Sequence, residues 1–243
     1  MLILRYALAT LFAVLAATGS LQAGTFAEFR PLGFSADGKV FAFEEFGIQD
    51  GSGFPFANRF FIDTANDSFL PGATIRVVIE DETAGLAAAR SQAAEQSAAL
   101  EDQYDFSGNP GIIAAFNPLS ERDAAAHLLR YEPFSMVPQP LGPTTARLIE
   151  KPLAPSDLCA AVTPEAVGFR LDLSEHNGQS VSIQLHDDKS VPKSRGCPTA
   201  YRLGGAVTHY ADGVWTHVIL VLIRSFGFEG EDGRWIAVTR RFE

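Results

Sequence analysis

The chain is poor in sulfur and in positive charge: of 243 residues two are cysteine and two methionine, and 19 Lys and Arg face 29 Asp and Glu. The resulting formal charge of −10 argues against nucleic acid, and against an anionic membrane surface, because phosphate backbones repel an acidic domain. No apolar run reaches the roughly 20 residues that a helix needs to cross hydrocarbon. Also missing are the Gly-x-Ser-x-Gly elbow, the phosphate-binding loop, the dinucleotide fingerprint and a Cys-x-x-Cys pair. Those absences exclude the commonest hydrolase, nucleotide-dependent and dithiol-redox designs. No cofactor is implied.

The N-terminus carries one charge, Arg5, then an apolar run from Ala7 to Ala17 and a small, polar stretch ending at Ala23. These are the three parts of a secretory signal peptide, with the cut expected after Ala23. Residues 24–243 are then expected to form a single secreted domain, in the periplasm or outside the cell. In that compartment an even pair of cysteines, Cys159 and Cys197, reads as a disulfide. Closing such a loop stabilises a fold by about 4 kcal/mol in the chain-entropy model. An apolar content of 47% supplies a core to go with it.

Along the chain, residues 30–80 read as β-rich. Asp37-Gly38 turns into an aromatic strand, Val40 to Phe46, followed by a glycine-rich loop from Gly47 to Gly53 and strands at Arg59 to Asp63 and Thr74 to Glu80. Residues 83–130 read as helical: an alanine-rich surface helix from Thr83 to Tyr104, then a second from Ala124 to Arg130 with Ser120 as N-cap and Asp123 three residues on. A proline-rich connection spans 133–164, with one short strand at Ala146 to Lys151. Residues 166–243 return to strand. Alternating runs at Val167 to Leu173 and Val181 to Leu185 flank Asn177-Gly178, and Ala200 to His209 leads through Asp212-Gly213 into Val214 to Arg224. Val218 to Ile223 is apolar on both faces and belongs at the centre of a sheet. The fold class is mainly β (α+β): an antiparallel β-sandwich or partly open barrel with a helical insertion.

Asp37 to Phe43 and Asp232 to Val238 match position by position in residue type. The first resembles the strand-turn-strand signature of propeller blades in TolB-like periplasmic proteins, but two copies fall short of the four blades a propeller needs. Both are read as isolated Asp-Gly hairpins. A longer resemblance covers nearly the whole mature chain, from the stretch Gly33 to Pro55 near its start to Ser225 to Val238 near its end, with Glu44 to Pro55 its most specific part. On these residues the chain resembles a bacterial family of predicted secreted proteins, domain-of-unknown-function family 2259. The resemblance implies export and a single domain, and no activity.

Two sites could carry function. The loop residues Glu44, Glu45, Gln49, Asp50 and Ser52 offer carboxylates and a flexible backbone, suited to a ligand, though without the oxygen count of a known Ca²⁺ loop. Phe54 and Phe56 beside them could stack on sugars or plug the end of a sandwich. Ser194-Arg195-Gly196-Cys197 resembles the Ser-His-Gly-Cys motif of L,D-transpeptidases, which would make Cys197 a nucleophile and His176 or His209 its base. Arg195 stands where that motif has histidine. Five histidines, with Asp187 and Asp188, show no metal-ligand spacing, so no metal site is assigned. His217 reads as a core or rim histidine and His186 as part of a solvated turn. A non-catalytic domain that binds an envelope protein or cell-wall component is the reading preferred over the cysteine enzyme.

Overall fold

The computed structural model describes residues 24–121, 123–134, 136–137, 140–163, 165–227 and 230–243; the signal-peptide segment 1–23 lies outside them. Three antiparallel sheets are stacked rather than closed into a barrel. The first holds β1 (Glu28–Phe34), β2 (Val40–Ile48), β3 (Pro55–Asp63), β4 (Ser68–Phe69) and β5 (Ile75–Val78), with β4 and β5 both on the outer edge of β3. Helix α1 (Leu86–Tyr104) follows. The central sheet runs β13 (Glu231–Phe242), β12 (Val214–Phe226), β11 (Pro198–Ala211), β6 (Ile112–Phe116). The second sheet contains β7 (Leu128–Tyr131), β8 (Thr144–Leu153), β9 (Ala166–His176) and β10 (Gln179–Asp187), and the short helix α2 (Asp157–Ala160) carries Cys159.

Strand β12 explains the stacking. A strand's side chains alternate between faces, and here both sets are apolar. Val218, Leu220 and Leu222 pack with Phe41, Phe43 and Phe60 of the first sheet. Ile219, Val221 and Ile223 pack with Leu148, Phe169 and Leu171 of the second. A sheet buried on both faces must have a partner on each. The two hairpins expected at Asn177-Gly178 and Asp212-Gly213 form, with all four residues at positive φ as a tight two-residue turn demands.

Three expectations are corrected. Ala124 to Arg130 is not helical: Leu128–Tyr131 is strand β7, its alternate residues Leu129 and Tyr131 buried against the central sheet. A short alanine run cannot nucleate a helix against that pairing. The strand in the proline-rich connection is ten residues long, Thr144–Leu153, and lies between β7 and β9. Finally, the two Asp-Gly pairs differ. Asp37-Gly38 is a turn, whereas Asp232-Gly233 lies inside β13, paired with Ser225 and Arg224. Glycine is required there because a Cβ would sit 2.1 Å from the Phe26 ring.

Helix α1 covers the outer face of the first sheet with its small residues, Ala89, Ala93 and Ser97, all fully buried. Between helix and sheet lies a charged clamp. Glu44 is wholly buried and accepts from Arg59 of β3 and from Arg90 of α1, the latter at 2.7 Å from Nη2. Arg59 also reaches Ser97 and Glu101.

Candidate functional site

Glu44 and Glu45 are consecutive in an aromatic strand, so their side chains leave on opposite faces. Glu44 is taken by α1 and Glu45 points to the central sheet. Both have no solvent exposure. Glu45 Oε1 accepts from Asn58 Nδ2 at 3.0 Å and Arg234 Nε at 3.0 Å, and Oε2 accepts from the Trp235 backbone N–H at 2.9 Å. These carboxylates tie layers together and are not part of a loop. Gln49, Asp50 and Ser52 do form the β2–β3 turn, where Ser52 Oγ donates to Gln49 Oε1 at 3.0 Å. The five residues thus do not converge. Phe56 is buried in the aromatic core and Phe54 is half-buried.

Two adjoining clefts open where the β5 and β13 edges of the first and central sheets face each other. The larger, about 440 Å³, is walled by Gln49 and Asp50 on one side and by Asp232 and Arg234 on the other, with Asn58 and Arg76 between. Residues 24–27 hold its shape. Thr25 N–H donates to Asp232 Oδ1 and Asp50 N–H donates to Thr25 Oγ1, both at 2.8 Å, while Gly233 N–H donates to Thr25 O. The smaller, about 210 Å³, shares Arg76 and Arg234 and continues over Phe60, Phe69 and Trp235 toward Asp67 and Arg195.

Burial pushes the Asp67 carboxyl above its ordinary range, against hydrogen bonds from the Thr239 N–H and hydroxyl. Opposite it, Asp188 is buried and accepts from Phe169 N–H at 2.9 Å and Arg195 Nη1 at 2.6 Å, with His186 Nε2 at 2.8 Å. Burial opposes ionisation of Asp188, but the His186 and Phe169 hydrogen bonds and the Arg195 charge together hold its pKa below the usual carboxylate value. His186 is not in the solvated turn expected: it lies in β10, half-buried, with its ring stacked on Phe169 at 4.6 Å.

Cys159 and Cys197 are joined, their Cα atoms 5.3 Å apart, so Cys197 carries no thiol. Arg195, at the motif's histidine position, is spent on Asp188. His209 lies a dozen residues further along β11, on the order of 40 Å at about 3.3 Å per residue. It stacks on Phe34. His176 stacks on Phe242 at that same far end of the sheet and sits beside His217. A thiolate next to an imidazole is therefore not assembled. His217 is a core histidine, its Nδ1 2.8 Å from Tyr131 Oη, and burial pushes its pKa down to about 3. Among the described residues no three His, Cys, Asp or Glu side chains are grouped to hold a metal, and no helix is long and apolar enough to cross a membrane.

Sequence reasoning missed Asn58, Arg76 and Arg234. The available signal was Glu44-Glu45 itself, since two carboxylates inside an aromatic strand must be buried and must find cations.

Stacked sheets linked by a disulfide belong to a β-sandwich protein of an oxidising compartment. Residues 42–241 match the family described as predicted secreted protein, domain of unknown function 2259, and the chain belongs to that family. The description agrees with export. Comparison with curated proteins finds no match, and neither does comparison with solved structures.

Proposed function

We propose that this is an exported, non-catalytic binding domain of the cell envelope, acting in the periplasm or just outside the cell, with the larger cleft as its ligand site. The supporting observation is convergence. Four segments distant in sequence, around Thr25, Asp50, Arg76 and Arg234, wall one concave space with polar groups. Such a cavity with a few oriented polar groups is the usual form of a ligand site. Its lining offers hydrogen-bonding and charged side chains, and Cys197, the one nucleophile suggested by sequence, is oxidised and elsewhere. With the leader cut after Ala23, the chain begins at Gly24, itself a lining residue.

The test is site-specific photo-cross-linking in producing cells, with a photoreactive residue at Asp50 and a control at Gln179 on β10. Adducts with an envelope component from position 50 alone are expected. Equal labelling from both positions, or from neither, contradicts the site, and turnover of peptidoglycan peptides by purified protein contradicts the non-catalytic reading.

A further inference from the structure

In a chain with surplus acid, cations are expected to be paired, and most of those around the clefts are. Arg234 is held by Glu45, and Arg195 by Asp188. Arg76 is the exception: among the described residues it makes no ion pair and no side-chain hydrogen bond, yet it lines both clefts. Its neighbour Val77 is buried beneath α1, so alternation turns Arg76 to the opposite face, toward the central sheet. There its guanidinium lies 5.5 Å from the centre of the Phe60 ring, a contact that fixes its position.

None of the carboxylates lining the clefts forms an ion pair with it, including Asp50 and Asp232 in the wall of the larger one. Glu45 already accepts from Asn58, Arg234 and the Trp235 N–H. Asp67 accepts from Thr239, and Asp232 accepts from Thr25. Burial and the charge of Arg234 lower the Arg76 pKa, partly offset by Glu45, so the two guanidinium groups feel each other across the junction. Directly beyond lies the apolar wall of Phe60, Phe69 and Trp235, with Phe69 half exposed at 49%. A cation with no carboxylate in direct contact, beside a second cation and above an aromatic wall, is complementary to a ligand with an anionic head and an apolar body.

We propose that the junction of the two clefts receives a small amphiphilic anion, its oxyanion held by Arg76 beside Arg234 and its apolar part seated on Phe60, Phe69 and Trp235. This rests on the cleft being the ligand site and names the ligand's class. Carboxylate and phosphate share the required chemistry.

The test is a titration followed by nitrogen-edited NMR of the arginine Nε–H and tryptophan Nε1–H groups. The probes are N-acetylphenylalanine, phenyl phosphate and the neutral N-acetylphenylalaninamide. An anionic probe is expected to shift the Arg76, Arg234 and Trp235 signals and to bind about tenfold more tightly than the amide. Arg76→Gln should remove that advantage, and the tighter of the two anions identifies the head group. If the amide moves the same signals with equal affinity, the anion assignment falls while the cleft stands as a binding site. If millimolar anion moves no cleft signal, or only signals elsewhere, both fall. Because these outcomes are read on the wild-type chain, they hold even if the variant folds poorly.

Discussion

The two interfaces of the central sheet are built differently. Toward the second sheet the packing is largely aliphatic, with Ala146, Leu148, Leu171, Leu203, Ile219 and Val221 closing over one another. Toward the first sheet it is aromatic, through Phe34, Phe41, Phe43, Phe56, Phe60 and Trp235, and a buried carboxylate, Glu45, spans it. At its β5–β13 edge this interface opens into the two adjoining clefts, while hollows of about 470 and 820 Å³ open where β6 meets β7 and where Glu150 of β8 faces Tyr201 of β11. The proposed binding site lies on the aromatic side of the sheet.

The largest expected effect breaks the first interface. Glu45→Ala leaves Arg234, Asn58 and the Trp235 N–H without their acceptor and should cost about 3–5 kcal/mol in denaturant unfolding. Loss below about 1 kcal/mol would mean that the first sheet is held by its rings alone. Next is the tether flanking the second sheet. Cys159→Ser opens a loop of 38 residues and should cost about 2–4 kcal/mol, and an unchanged melting temperature would show that the bond contributes nothing.

Acid should act through one buried histidine, His217, and two half-buried ones, His176 and His209. Burial lowers the pKa of His176 and His209 and takes that of His217 from 6.5 to about 3. The unfolded chain therefore binds more protons as pH drops through this window, so stability present above about pH 6.5 is lost toward pH 3. For His217 the loss by pH 4 is about 3 kcal/mol. His217→Gln should flatten the dependence of unfolding free energy on pH; an identical slope would place the acid sensitivity elsewhere. The smallest effect is at the outer layer. Arg90→Ala leaves Glu44 its bond to Arg59 and should cost about 1 kcal/mol. A loss comparable to that of Glu45→Ala would make α1 as structural as the central sheet.

Much of the second interface was legible in sequence. Apolar alternation in β9 and β10, the Asn177-Gly178 and Asp212-Gly213 turns, the two-faced β12 and the cysteine pair are local patterns or follow from export. The first interface was not. Glu44 and Glu45 sit beside a glycine-rich turn and read as loop ligands, because their cations, Arg59, Arg90 and Arg234, come from three other elements. The clefts were hidden for the same reason: of the five predicted site residues Gln49 and Asp50 line the larger and Glu45 the smaller, joined by Arg76 and Arg234 from distant strands. Residues 128–130 read as helix because the local composition carries no trace of the pairing of β7 with Thr144 to Arg147.

The most direct test of the division between the two faces is amide hydrogen exchange with and without N-acetylphenylalanine. Protection is expected in the β2–β3 turn, β5 and the first half of β13, with β8 to β10 unchanged. Protection centred on β8 to β10, or on the cluster of His176 and His217, would contradict it and move recognition to the second interface.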